Sequence, residues 1–284
     1  MMSQNKTESP NHNPDSESLD LSQSEEVDIA ARSNPRAAIL HEVLRLEGEE
    51  ELNRKNLAVA WSGLAAGLSM GFSLVAEGLI HAHIPAAEWR PLFSSLGYTV
   101  GFIIVVLGRQ QLYTETTLTA VLPLLNRFSV NQTINVLKYW LIVLSSNLIG
   151  TLLFAWLIAK TGVFSSATQE AFLTIGLSAA EGGFWPILLR AFFAGWLIAL
   201  MTWLLPGAQS SRLNIIIIIT YLVALAKLAH IIAGSTEVFY AVIDGSLNWG
   251  DYGSYMLPTL IGNTLGGVGL VAALNFAQVN SEKE

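Results

Sequence analysis

The stretch "LGRQQLYTETTLTAVLPLL", residues 107–125, decides how this chain is read. It sets Arg109, Gln110, Gln111, Thr114, Glu115, Thr116 and Thr117 between the apolar runs "SSLGYTVGFIIVVL" and "LTAVLPLL". A lipid interior tolerates such groups least, because no water is present to satisfy them. Backbone that leaves the helix at that depth survives only where it is buried in protein or lines a wet cavity. The cluster therefore reads as a pore-lining interruption of a membrane span. A loop packed between helices is the plainer alternative.

Composition supports a membrane setting. The chain has 284 residues, 52% hydrophobic and 13% charged, against about 25% charged in ordinary soluble domains. Its net charge of -7 is concentrated at one end. Glu8, Asp15, Glu17, Asp20, Glu25, Glu26 and Asp28 face only Lys6 within residues 1–30, so 7 − 1 leaves about -1 for the rest. No basic face points to nucleic acid. With no cysteine, a disulfide framework, thiolate catalysis and cysteine metal sites are excluded. No apolar run follows Met1, so the start does not read as a signal peptide.

Residues 1–35 are polar and acidic and are expected to be a disordered cytoplasmic tail. Residues 36–56 place Ile39, Leu40, Val43, Leu46 and Leu52 among charges at helical spacing, an amphipathic helix lying on the membrane or against its own bundle. Six apolar segments fill 57–277, at 57–80, 92–125, 137–160, 186–205, 213–243 and 255–277, and a short tail at 278–284 follows. A span needs about 20 apolar residues. The second and fifth segments are far longer than that and carry polar residues in the middle. Near the span ends Arg45, Arg54, Lys55, Arg127, Lys138, Arg212 and Lys283 fall on one side and Arg90, Lys160 and Arg190 on the other, which predicts cytoplasmic termini.

Three spans and three spans form two halves, each with its abnormal span in the middle. "SSNLIGTLLF" answers "LIGNTLGGVGL", so Asn147-x-x-Gly150 matches Asn263-x-x-Gly266 at an offset of 263 − 147 = 116 residues. Thr114 and His230, at the two polar breaks, share that offset. An odd number of spans per half turns the second copy upside down, which predicts an all-α membrane protein built as an inverted 3+3 repeat of six transmembrane helices, two of them broken.

"GRQQLYTETT", "GWLIALMTW", "LAKLAHIIAGS" and "IGNTLGG" resemble the formate/nitrite transporter family over roughly residues 40–277, and within it the YfdC-like inner-membrane branch. The resemblance implies an aquaporin-like protomer with its own pore and a homopentamer in the lipid bilayer of a bacterial inner membrane. It also implies small anionic solutes such as formate or nitrite. His230 matches the family's central pore histidine, and imidazole is the side chain whose ordinary pKa, about 6.5, lies near physiological pH. Leu112, Tyr113 and Thr114 match a Leu-Phe-Thr loop, the first two as a constriction and the threonine facing the histidine. Tyr113 departs from the phenylalanine. Lys227 stands where the family has a small residue, and Ala229 and Ala199 replace the acidic residue and asparagine that support the histidine.

A charged side chain in a helix centre costs at least about 2.5 kcal/mol to insert. Lys227 and Glu115 are therefore expected to face inward and pair, contact an anion or lose charge. Arg109 reads as a partner of Glu115, a helix cap or an anion collector. Glu77 and Glu237 read as interfacial rather than pore residues. His81 and His83 lack the further donors a metal site needs, and no cofactor is implied. No acid pair, nucleophile–base set or phosphate loop suggests an enzyme. Beside an anion channel stand a channel for another small solute and a pore-incompetent scaffold or sensor plugged by Lys227 and Glu115.

Overall fold

The computed structural model describes residues 35–272 together with Ser22, Leu274, Ala277, Gln278 and Ser281. The expected acidic tail and the tail at 278–284 lie almost wholly outside the described residues. Among those described, every regular element is helical. In chain order the α-helices are α1 (Ala37–Asn53), α2 (Asn56–His83), α3 (Arg90–Leu107), α4 (Tyr113–Thr119), α5 (Val121–Asn126) and α6 (Val130–Lys160). Then come α7 (Ser166–Ala180), α8 (Phe184–Leu204), α9 (Arg212–Leu225), α10 (Ile231–Asp244) and α11 (Trp249–Leu265). Among the described residues four stretches are long and apolar enough to cross a membrane: α2, α3, α6, and α8 with its continuation to Gly207.

The second and fifth apolar segments each stop and restart. After α3 the Arg109 amide donates to the Val106 carbonyl (3.1 Å) and the Gln110 amide to the Val105 carbonyl (3.0 Å). After α9 the Lys227 amide donates to Ala224 (2.9 Å) and the Leu228 amide to Val223 (2.9 Å). Both are Schellman turns, and their left-handed residues, Arg109 and Lys227, each have φ 51°. The turns repeat at 227 − 109 = 118 residues. Leu112 and His230, at the same offset, occupy the N-cap positions of α4 and α10. The 116-residue offset read from the sequence is thus corrected at the breaks. The counterpart of His230 is Leu112, and Thr114 lies inside α4.

Other contacts also occur twice. A Cβ on Gly67 of α2 would strike the Asn147 backbone, and one on Gly195 of α8 the Asn263 backbone. Gly150 lies against Leu64 and Leu68, Gly266 against Phe192 and Trp196. Small residues there let helix backbones touch, which is how helices pack where lipid offers no hydrophobic drive. Gly48 of α1 meets the Thr119 carbonyl, and Gly176 of α7 meets that of Glu237.

That last pair shows what the sequence reading missed. Residues 161–185 pass for a loop between spans, yet α7 lies within them and packs on α2 and α10. Its signals are modest: Ser165 caps the Thr168 amide at 3.3 Å, and Ala171, Phe172 and Gly176 form a short buried stripe. For α1 the helix is present, with both a buried and an exposed apolar side. His41, Leu44 and Gly48 are buried, whereas Ile39 and Leu46 are 53% and 52% exposed. Close approach at Gly48 decides which side turns inward.

Overpacking a helix contact of this kind typically costs about 1–3 kcal/mol. Gly67→Ala and Gly195→Ala should therefore each destabilise the protein by that order in detergent thermal unfolding. Gly253→Ala, on an open helix face, should be neutral or raise the midpoint. Equal tolerance at all three sites would contradict the packing described.

Candidate functional site

Two asparagines tie the restarted helices to their neighbours. On α6, Asn147 accepts the Tyr113 amide on Oδ1 (2.9 Å) and donates through Nδ2 to the Gly63 (2.7 Å) and Gln111 (2.9 Å) carbonyls. On α11, Asn263 accepts the Ile231 amide (2.8 Å) and donates to the Ala191 (2.7 Å) and Ala229 (2.9 Å) carbonyls. Each side chain thus satisfies three backbone groups, and both are fully buried. The N-termini of α4 and α10 are held at the centre of the fold in this way.

There His230 and Thr114 meet. The His230 Nε2 lies 2.8 Å from Thr114 Oγ1, and both residues are buried. Nδ1 lies 3.3 Å and 3.2 Å from the Ile232 and Ala233 amides. Backbone N–H groups only donate, so Nδ1 accepts, and the ring's proton sits on Nε2 and is donated to Thr114. The Phe102 ring stands edge-on to the imidazole at 5.0 Å, and the Tyr255 hydroxyl donates to the His230 carbonyl (3.0 Å). The ring is fixed from both ends.

One cavity reaches His230, and a second opens beside Glu115 and Thr116, next to Thr114 in the chain. The first, about 190 Å³, is lined by His230, Lys227, Glu77, Glu237, Tyr98 and Tyr255. The second, about 590 Å³, is lined by Glu51, Arg54, Arg109, Gln111, Glu115 and Arg212. On α3, Tyr98 lines the first and Val106 the second, a rise of about 12 Å. Fully buried Phe102 lies between them. The wall is therefore short and dry.

The sequence-derived residues divide as follows. His230 and Thr114 touch. Leu112 and Tyr113 line neither cavity: Leu112 is fully buried, and Tyr113 packs on Trp140 and bonds Thr264 Oγ1 through its hydroxyl (2.9 Å). The expected Lys227–Glu115 pair does not form. Lys227 is exposed to the first cavity with Nζ 3.3 Å from Ser178 Oγ, whereas Glu115 lines the second with Oε1 lacking a hydrogen-bond partner. Two breaks whose chain ends point to opposite ends of the fold cannot bring those side chains together. Arg109 pairs with Glu47 (3.3 Å) rather than Glu115.

Glu77 and Glu237 are likewise corrected, from interfacial positions to the wall of the first cavity. Glu51 was missed. It accepts bonds from Thr119 (2.9 Å), Gln111 (3.2 Å) and Tyr139 (3.3 Å). Burial pushes its carboxyl above the ordinary range, and those hydrogen bonds pull it back. Its place, one residue from the apolar Leu52 on a charged helix, gave no signal. His81 and His83 lie in the last turn of α2, bound to Arg90 (2.8 Å) and to the Leu79 carbonyl (2.7 Å). Among the described residues no cluster suits a metal ion.

Comparison with known proteins adds four findings. The family model described as formate/nitrite transporter matches residues 38–277. The chain is 40% identical over 248 residues to inner membrane protein YfdC of Escherichia coli, covering 87% of this chain and 80% of that one. It is 27% identical to the formate channel BtFdhC of Bacillus thuringiensis, covering 75% and 82% of the two chains. A solved pentameric formate channel with formate bound shares the fold, with a TM-score of 0.69, 17% identity, and 80% and 98% of the two chains covered.

A buried group left without its hydrogen bond costs about 1–3 kcal/mol. Asn147→Ala and Asn263→Ala each strand three. Each should cost several kcal/mol, to similar extents, with loss of folded yield or a large drop in the detergent unfolding midpoint. A mild loss at either site would refute the role given to these side chains.

Proposed function

We propose that this chain, which belongs to the formate/nitrite transporter family, is a multi-pass inner-membrane channel or transporter for small monovalent anions of weak acids, formate or nitrite among them. The observation that carries the reading is the His230–Thr114 bond at a dry wall with an open cavity on each side. The paired Schellman turns, asparagine ties and glycine contacts support six spans in an inverted 3+3 repeat with the second and fifth broken. The similar formate channel, described as pentameric, supports five protomers, each with its own passage. The excess of Lys and Arg near one set of span ends supports cytoplasmic termini, with the second cavity facing the cytoplasm.

An anion entering the first cavity meets the Lys227 charge first. At the wall it meets the Nε2–H of His230, a donor that Thr114 shares. The positive ends of α4 and α10 converge there and favour negative charge. The amides of Tyr113, Ile231, Ile232 and Ala233 are already taken by Asn147, Asn263 and His230 Nδ1. An unpaired anion is expensive in so dry a place. The solute therefore crosses the wall as its neutral acid, hydrogen-bonded to His230. The scaffold reading loses its plug, because Lys227 and Glu115 line different cavities.

Proteoliposome uptake of labelled formate, nitrite and acetate tests this. His230→Phe should abolish uptake, with His230→Asn, which keeps a helix cap, as the check on folding. Full uptake in both variants would overturn the reading. Lys227→Gly keeps the left-handed turn but removes the charge, and should lower uptake from the first-cavity side. Because Lys227 and Glu115 are not in contact, Lys227→Gly and Glu115→Gln should add within about 0.5 kcal/mol in thermal stability. A larger coupling would restore the tether.

A further inference from the structure

The first cavity contains two carboxyl groups that passage past His230 does not use. Glu77 stands near the end of α2, and Glu237 lies seven residues beyond His230 on α10. Both line the cavity that reaches His230 and Lys227. Glu237 is 7% exposed, and both carboxyls face the same cavity. Among the described residues neither carboxyl receives a hydrogen bond or an ion pair. Their oxygens are open to the cavity.

Two carboxylates sharing such a site repel one another and lack donors. The surrounding cations do not answer them. Lys227 Nζ is turned to Ser178 Oγ, Arg90 is held by His81 and the Pro85 carbonyl, Arg190 by the Glu181 carbonyl, and Lys160 of α6 by the Ile243 carbonyl. The other titratable groups facing the pair are His230 of the α10 N-cap, Tyr98 of α3, Tyr255 of α11 and His81 of α2, while α7 presents Thr174 and Ser178. One proton on the pair removes the repulsion and leaves a single negative charge in the cavity that Lys227 also lines.

We propose that Glu77 and Glu237 hold one proton between them and give it to the weak-acid anion drawn in beside Lys227, so that each solute molecule reaches His230 already neutral and carries a proton with it. The proposal rests on the anion-transport reading above and assigns it a proton source. In the step, the O–H bond of the glutamate carboxyl breaks and an O–H bond forms on the solute oxygen. The anion becomes the neutral acid, and the pair is left as two carboxylates. Water at the cavity mouth returns the proton.

Two measurements test this on the full chain in lipid. Infrared difference spectra across a pH titration should show the C=O stretch of a protonated carboxyl, lost in Glu77→Gln/Glu237→Gln. Labelled formate uptake should rise as external pH falls in the unmodified protein, and the double variant should lose that dependence while remaining folded. Glu77→Asp, which retains an acid, should keep part of it. A carboxyl band that persists in the double variant, or an unchanged pH profile with uptake intact, would overturn the proposal. If the unmodified protein carries no weak acid, the transport reading fails and proton donation to solute fails with it. The infrared band then still decides whether the pair holds a proton.

Discussion

Stopping a helix inside an apolar interior frees backbone donors and acceptors that nothing nearby will satisfy by default, and this chain does so twice. The Schellman turns settle the carbonyls at the ends of α3 and α9. Asn147 and Asn263 settle the other side, each joining the restarted helix, the loop before it and a neighbouring helix through one amide. An amide suits this position because it offers both a donor pair and an acceptor without charge. Gly67 and Gly195 follow from it, since only a bare backbone admits the asparagine-bearing helices closely enough to make these bonds.

Much of this was legible in the sequence, for identifiable reasons. The all-helical fold follows from runs of apolar residues, and the two helix stops near Arg109 and Lys227 fall where polar groups interrupt those runs. The N-x-x-G match led to the asparagines because the same chemistry was needed twice. The offset slipped by two residues because the first polar groups one notices, Thr114 and His230, are contacting partners rather than equivalents. The helix α7 escaped because it is short and its buried stripe is Ala171, Phe172 and Gly176, little more apolar than a loop.

The candidate site was only half readable. A histidine in an apolar run announces itself, and its contact with Thr114 is local to the breaks. Glu51 gave no signal, and Glu77 and Glu237 read as interfacial, since what matters is which cavity each side chain enters, and that depends on how distant helices rotate about their axes. The pairing of Lys227 with Glu115 failed for the same reason. Opposite charges suggest a pair on paper, yet in the fold each charge belongs to a different mouth.

The two mouths nevertheless share one device. Arg109 and Lys227 hold the left-handed position of their Schellman turns, where glycine is the usual residue, and the left-handed conformation costs a non-glycine residue about 1–2 kcal/mol. Glycine would relieve that cost and keep every backbone bond of the turn. What it would lack is a cation at the negative end of the helix it terminates. It would also leave the adjoining cavity without a charge fixed by the backbone turn itself. Each half of the chain thus sets a positive side chain beside its break, Arg109 toward the second cavity and Lys227 toward the first. Since both turns sit five residues or fewer from the His230–Thr114 contact, the geometry that breaks the helices also brings positive charge to either side of the dry zone.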